Sequence, residues 1–289
     1  CLTLYGQGRH CHMLSTLKPT RVHVITGGFP PGLPAGHNMD YARLRILQVL
    51  QEHPQVFSTV ANDFTDIARW LPDTQLLITY VAGPYANDEQ NQVMRQWLEG
   101  GGRWLALHGT SGGKAVRVGE TRSARKMVKT SHHETLGSFF LNHPPLRKFR
   151  VHVTDREHAV TKDLPASFEV IDELYLIELQ EPATCRVLLT TELDKDPSPP
   201  GFGFVYDKDT SLLPDGKTRV LGYTRELGKG GVTYIALGHC SSPTNTRQPV
   251  VDASVHTSGS APNLLHGSWE TEPFERLLRN GIMWGIEER

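Results

Sequence analysis

The chain has 289 residues, 38% of them hydrophobic, with 30 basic and 31 acidic side chains and a formal net charge of −1. This composition suffices for a large folded core and excludes a disordered or fibrous chain. The balanced charge gives no electrostatic footprint for nucleic acid, and no stretch approaches the ~20 apolar residues of a membrane span. The one basic run, RSARKMVK at 122–129, is read as a solvated loop or helix face in preference to a phosphate or polyanion site.

The first twenty residues lack the periodicity of secondary structure, so we expect residues 1–20 to be a poorly ordered N-terminal extension. The chain begins at Cys1, which is typical of a fragment and also of a mature lipoprotein, and the first interpretation is favoured. The four cysteines have no CxxC spacing and are interpreted as ordinary thiols. We expect a cytoplasmic protein, with a processed or lipidated terminus as the alternative.

From Arg21 onward, predicted strands and helices alternate. The strands cover RVHVIT (21–26), QVFSTVAND (55–63), QLLITYVAG (75–83) and RWLAL (103–107), and the helices cover 39–53, 64–71 and 88–100. Asn87 or Asp88 can cap the third helix, and three glycines at 100–102 terminate it. Because such alternation requires right-handed crossovers, it predicts a parallel sheet with helices on both faces.

The pattern changes after residue 145, where strand-like runs follow one another without long helices. These runs are KFRVHVTD (148–155), FEVIDELYLIEL (168–179), CRVLLTTEL (185–193), RVLGYTREL (219–227) and GVTYIALGH (231–239). They predict antiparallel strands that extend the sheet, with a tight hairpin turn at GKGG (228–231). A last helix covers 272–286, and the Ser-, Thr- and Pro-rich loop at 241–268 is interpreted as a lid. We find no interdomain linker, so residues 21–289 are expected to form one domain.

The most informative segment is RWLALHGTSGG at 103–113, where an apolar strand runs into a glycine-rich turn with His108 at its tip. An elbow of this kind lifts one side chain above the carboxyl edge of a parallel sheet, where open α/β folds bind ligands. Ser111 is a poor nucleophile for His108 to activate, because neighbours on one turn seldom reach triad geometry.

Other polar side chains are predicted at strand ends or in adjoining loops of the same sheet edge. Two chemical interpretations remain open. In the first, His37, His143 and His239 bind a divalent metal such as zinc together with Glu173, because imidazole and carboxylate suit that ion. In the second, the groups work without metal as general acid and base, with His108 or His239 moving a proton that Glu173 orients. No nucleotide cofactor is indicated.

Six motifs occur in the order characteristic of one family. They are VITGGFPPGLPAGHNMDYARL, WLEGGGRWLALHGT, LNHPPLRKFRV, VTDREHAVTKDLPASFEVIDELY, GYTRELGKGGVTYIALGH and FERLLRNGIMWGI. Over residues 21–286 the chain resembles the trehalose-utilisation (ThuA-like) family, which has the class I glutamine amidotransferase-like fold. The resemblance implies an α/β fold: a flavodoxin-like parallel sheet flanked by helices and extended by antiparallel strands in the C-terminal half.

The elbow departs from the glutamine amidotransferases, which carry a cysteine nucleophile in a GxCxG turn. His108 stands in the place of that cysteine, so thiol-based amide hydrolysis is excluded. His132 and His133 lie in a segment that does not align with the family pattern, and their role stays open.

The family implies a protein of carbohydrate metabolism that acts on a disaccharide or a keto-sugar. We expect the reaction to be hydrolysis or isomerisation, with His108 and Glu173 as catalytic residues. Adjacent strand residues face opposite sides, so Glu173 is assigned to the crevice and Asp172 to a structural hydrogen-bonding role. Tyr175, Tyr223 and Trp269 are proposed to contact the sugar. The alternative is a non-catalytic sugar-binding or regulatory module. The expected partner is a small-molecule carbohydrate, and a homo-oligomer is left open.

Overall fold

The computed structural model describes residues 19–31, 33, 35–119, 124–245 and 248–287. The strands are β1 (Thr20–Gly28), β2 (Val56–Ala61), β3 (Leu76–Ala82), β4 (Arg103–Leu107), β5 (Lys114–Arg117), β6 (Arg125–Val128), β7 (Ser138–Asn142), β8 (Arg147–Val153), β9 (Ser167–Asp172), β10 (Leu176–Leu179), β11 (Cys185–Glu192), β12 (Thr218–Leu227) and β13 (Gly230–Ile235). The helices are α1 (Met39–Leu50), α2 (Ile67–Trp70), α3 (Asp88–Glu99), α4 (Ser131–Leu136) and α5 (Glu272–Ile286).

Within these residues, nine strands form one sheet in the order β2-β1-β3-β4-β13-β12-β11-β8-β9. The pairs that link β2, β1, β3, β4 and β13 are parallel. This is the 2-1-3-4-5 strand order of flavodoxin-like folds, with β13 in the fifth place. The predicted fold class is therefore confirmed.

The rest of the sheet is antiparallel, from β13 through β12, β11 and β8 to β9. Gly228 and Lys229 connect β12 to β13, at the hairpin turn that GKGG predicts. Four successive antiparallel pairings separate β13 from β9, so β9 runs in the same direction as β13. The carboxyl end of β9 therefore lies at the same sheet edge as the carboxyl ends of the parallel strands.

Helices cover both faces of the sheet, as right-handed crossovers require. Helices α1 and α5 pack together on one face, while α2, α3 and α4 pack together on the other. Helix α3 begins with a capping box in which Asn87 and Gln90 bond each other's backbone amides. Helix α5 buries one apolar face, which includes Phe274, Leu277, Leu278 and Ile282.

Three sequence predictions differ from the structure. The run 168–179 is not one strand, because β9 ends at Asp172 and β10 pairs with β7 in a separate sheet. The segment 114–137, for which the sequence patterns predict no helix or strand, contains the β5–β6 hairpin and α4. In the basic run, residues 125–128 form strand β6 rather than a loop or helix face.

An N-terminal extension is predicted for residues 1–20. Of these, residues 1–18, including Cys1, lie outside the described residues. Cys185 and Cys240 are free thiols, as predicted. Among the helices of the described segments, none combines the length and apolar character needed to cross a membrane.

Candidate functional site

Four polar side chains from distant parts of the chain meet at one edge of the large sheet. His37 follows β1, His108 follows β4, Glu173 follows β9 and His239 follows β13. Because these four strands run in the same direction, their carboxyl ends bring the four residues to the same place. All four side chains are buried.

The geometry of this group is compact. One nitrogen from each of His37, His108 and His239 and one oxygen of Glu173 all lie within 4.8 Å of one another. Glu173 Oε2 is 3.1 Å from His239 Nδ1 and 3.4 Å from His108 Nε2. Three imidazoles and a carboxylate around one point are a donor set that suits a divalent ion such as zinc. The group can therefore hold a metal.

Hydrogen bonds fix the tautomers of two of these histidines. The Nδ1 atom of His37 bonds the Ala35 carbonyl at 3.1 Å, and that of His108 bonds the Ala236 carbonyl at 2.8 Å. Since a carbonyl only accepts, each Nδ1 carries the proton and each Nε2 keeps a lone pair. Both Nε2 atoms are buried without a hydrogen-bond partner, as is His239 Nδ1.

The charges within the cluster reinforce this arrangement. Burial acts to raise the pKa of Glu173, but the facing rings of His143, His239 and His108 hold it well below its usual range. Burial, followed by the neighbouring His239 and His108, lowers the pKa of His37 to about 3. Burial acts to lower the pKa of His239, yet the Glu173 carboxylate outweighs burial and raises it. Glu173 is therefore the fixed negative charge of the site, and His37 is neutral.

His143 lies beside this group, in the loop after β7. Its Nε2 is 3.7 Å from Glu173 Oε1, while its Nδ1 bonds the Pro144 carbonyl at 2.8 Å. Its side chain is 15% exposed, whereas that of His108 is fully buried. The structure thus brings all four predicted histidines to Glu173, with His143 on the open side.

Asp172 anchors the two segments that carry Glu173 and His239. Its carboxylate accepts the backbone amides of Glu173 (2.8 Å), Gly238 (2.8 Å) and His239 (2.9 Å), and the Ser268 hydroxyl. The side chain is fully buried. Asp172 is therefore a structural hydrogen-bonding partner, as predicted.

The elbow holds His108 in an unusual backbone conformation. Its φ angle is +43°, a region that costs a non-glycine residue of order 1–3 kcal/mol. Gly109 allows the turn to pack closely, because a Cβ at that position would lie 2.5 Å from the Val81 carbonyl oxygen. The strain lifts the imidazole off the strand end toward Glu173.

Four carbonyl groups of the elbow each accept a hydrogen bond from a ring side chain, three of them buried and the fourth, Tyr85, half-buried. The bonds join Tyr234 Oη to His108 O (2.8 Å), Tyr85 Oη to Gly109 O (3.1 Å), His132 Nε2 to Thr110 O (2.9 Å) and His133 Nε2 to Gly112 O (2.7 Å). We call these four side chains the elbow clamp. Burial lowers the pKa of His132 to about 3 and also lowers that of His133. Both rings are therefore neutral, and each donates its single N–H to the elbow.

A cavity of about 1060 Å³ opens onto the cluster. Its lining includes His37, His143, Glu173 and His239, together with a group of aromatic side chains: Phe29, Tyr85, Phe140, Tyr175, Phe202 and Phe204. The loop predicted as a lid contributes Gln248, whose amide donates to Glu173 Oε1. Aromatic walls with a few convergent polar groups are typical of a small-molecule site.

The residues predicted to contact sugar are placed differently from one another. Tyr175 lines the cavity, and its ring stacks on His108 with centroids 4.2 Å apart. Tyr223 and Trp269 lie in the core outside the cavity lining, where they donate to the carbonyls of Leu136 and Gly238. Neither of these two buried side chains presents a face to the cavity.

Sequence patterns predict no role for Gln248 or for the elbow clamp. Of these residues, Tyr85 is the one that a sequence pattern could have identified, because it follows β3 at the carboxyl edge shared by the other site residues. His132 and His133 lie on a six-residue helix, too short to show a hydrophobic period. Gln248 lies in an irregular loop whose path no sequence pattern fixes.

Comparison with known proteins agrees with this description of the fold. The family model described as ThuA, trehalose utilisation, matches residues 35–254. A ThuA-like protein from Bacteroides uniformis is 17% identical, with a TM-score of 0.58 over 94% of this chain and 93% of that chain. A second from Parabacteroides merdae is 18% identical, with a TM-score of 0.55 and the same coverage. No curated protein matches this sequence significantly.

Proposed function

We propose a carbohydrate substrate, bound in the histidine-lined cavity, for this chain, which belongs to the ThuA family of trehalose utilisation. The substrate we propose is a disaccharide or a keto-sugar derived from one, and the reaction is its hydrolysis or isomerisation. The proposed cofactor is a divalent metal such as zinc, held by His37, His108, Glu173 and His239.

One observation carries this proposal. His37, His108 and His239 each place a ring nitrogen within 4.8 Å of the others and of a Glu173 oxygen, and each has a buried ring nitrogen that makes no hydrogen bond of acceptable geometry. His239 Nδ1 and His108 Nε2 do lie 3.1 and 3.4 Å from Glu173 Oε2, but neither contact has the geometry of a hydrogen bond. A buried polar atom without a partner costs about 1–3 kcal/mol, and a cluster of three is hard to account for by packing. A shared ion satisfies all of them, which favours the metal over acid–base chemistry by the same groups alone.

The proposal exchanges two roles assigned from sequence. His108 replaces His143 among the ligands, because His108 belongs to the compact group and its buried Nε2 lies 3.4 Å from Glu173 Oε2. His143 becomes the candidate acid or base, since it reaches both the open cavity and Glu173. A bound divalent ion polarises a sugar oxygen or activates a water molecule. The aromatic wall formed by Tyr175 and Phe140 holds the sugar ring beside these groups.

The first test is the metal content of the purified protein. We expect one equivalent of divalent metal by mass spectrometry, and zinc titration of the chelator-treated protein should restore it. The variants His37→Ala and His239→Ala should each lose the ion. His53→Ala is a matched control, because His53 follows the carboxyl end of α1 whereas His37 precedes its amino end.

Circular dichroism verifies that each variant is folded. Absence of metal from the wild type, even after titration, would overturn the metal assignment. Stoichiometric metal with no conversion of trehalose or its keto derivatives would favour the non-catalytic binding module instead.

Two buried tyrosines make it possible to distinguish a contact that supports the metal site from one that supports only the fold. Tyr234 donates to the His108 carbonyl and Tyr223 to the Leu136 carbonyl, both at 2.8 Å and both buried. Removing either hydroxyl should destabilise the protein by about 1–2 kcal/mol in urea unfolding. Only Tyr234→Phe should also weaken zinc binding, by roughly tenfold, because outer contacts orient metal ligands. Equal zinc affinities of Tyr234→Phe and Tyr223→Phe would contradict this role for the elbow clamp.

A further inference from the structure

The β5–β6 hairpin carries a pair of positive charges that the proposed chemistry does not use. Arg117 of β5 and Arg125 of β6 are directly opposite each other in the hairpin register, as are Ala115 and Met127. Directly opposed side chains share one face of a hairpin. Ala115, Met127 and Arg125 line the cavity, as does Lys114 at the start of β5. Arg117 shares the face of Ala115 and lies opposite Arg125, just beyond the lining.

Like charges directly opposite each other destabilise a hairpin unless an anion lies between them. Both arginines are exposed, and across the described ranges neither forms an ion pair. Two described lysines of the same basic run are paired, Lys126 with Asp207 and Lys129 with Glu178. Within the described residues, the hairpin therefore carries unpaired positive charge on Arg117 and Arg125, and Lys114 in the cavity lining adds to it.

The Arg125 guanidinium is also held in position. Its central carbon lies over the Phe204 ring, 4.9 Å from the centroid, and Phe204 itself lines the cavity. A guanidinium stacked on an aromatic face keeps its N–H groups free to bind an anion at its edge. Asp88 also lines the cavity, and its carboxylate accepts the Ser131 hydroxyl at 2.6 Å.

We propose that Arg117 and Arg125 form an anion subsite that selects carbohydrates with a negatively charged substituent, a phosphate ester or a carboxylate. The sugar ring lies against the aromatic wall, one end faces the histidine cluster, and the charged group reaches the hairpin. The planar forks of two arginines match the oxygens of either group. This proposal rests on the proposed function only in that a carbohydrate occupies the cavity.

The test compares sugars that differ at one carbon: glucose, glucose 6-phosphate and glucuronic acid. By calorimetry, we expect a charged sugar to bind the wild type at least about tenfold more tightly than glucose, the range of a charge-assisted contact. Arg125→Gln and Arg117→Gln should remove most of this preference, and Arg125→Lys should retain part of it. Higher salt should reduce the preference as well.

Lys126→Gln is the control, because Lys126 belongs to the same strand but is already paired with Asp207. It should keep the full preference. If only glucose 6-phosphate is preferred over glucose, the subsite selects phosphorylated sugars. If both charged sugars are preferred, the subsite accepts uronic acids as well. The proposal is overturned if neither charged sugar binds better than glucose, or if Arg125→Gln keeps the wild-type preference. Zinc content, measured on the same variants, should be unchanged, so this result is independent of the metal assignment.

Discussion

Replacing Glu173 with glutamine is expected to abolish metal binding and with it any conversion of sugar. Glu173 is the carboxylate directed at the three imidazoles, and it supplies the only negative charge of the proposed ligand set. Glutamine keeps the shape of the side chain but leaves a divalent ion with neutral ligands in a buried site. We expect zinc affinity to fall by more than about 100-fold, beyond the range seen for outer-shell substitutions.

Glu169→Gln is the matched control for this experiment. Glu169 lies on the same strand, β9, and its carboxylate is paired with the exposed Lys148 at 2.9 Å. Zinc affinity and unfolding free energy should be nearly unchanged in this variant, because exposed ion pairs contribute little. Wild-type zinc affinity in Glu173→Gln would exclude Glu173 as a ligand.

The second large effect is expected on stability, from Asp172→Ala. This substitution leaves the buried amides of Glu173, Gly238 and His239 without their acceptor. At about 1–3 kcal/mol for each unsatisfied buried group, partly offset by relaxation, we expect a loss of about 4 kcal/mol in urea unfolding. Zinc affinity should fall too, because the same bonds set the positions of Glu173 and His239.

Asp155→Ala provides the comparison for Asp172. The Asp155 carboxylate also accepts backbone amides, those of Glu157 and His158, but in a surface turn. Water can replace it there, so the loss should stay below about 1 kcal/mol. A similar small loss in Asp172→Ala would show that Asp172 is not the anchor inferred from its contacts.

The sheet edge that carries the site can be predicted from the sequence. His37, His108 and His239 each follow a clear strand pattern, and parallel strands bring their carboxyl ends together. Glu173 was assigned to the crevice from strand alternation, whereas it lies just beyond the end of β9. There the Asp172 side chain, by bonding the Glu173 amide, turns the chain.

Finer features depended on packing that no local pattern encodes. The exchange of roles between His108 and His143 follows from carbonyl contacts at Ala236 and Pro144, which fix the direction of each ring. The β5–β6 hairpin has strands of four residues, too short for a two-residue alternation to stand out from a loop. Tyr223 and Trp269 have aromatic rings of the kind that stack on sugars. Only the burial of these rings in the structure assigns the two residues to the core.

The position of β13 affects how this protein matures during its synthesis. β13 is the last strand in the chain, yet it lies between β4 and β12 in the middle of the sheet. Until the ribosome has released residues 230–235, β4 remains an open edge, and the two halves of the sheet have no shared ladder. Exposed edges of this kind favour pairing with other chains. In the nascent polypeptide, the facing edges of β4 and β12 are therefore open to mispairing until β13 closes the gap.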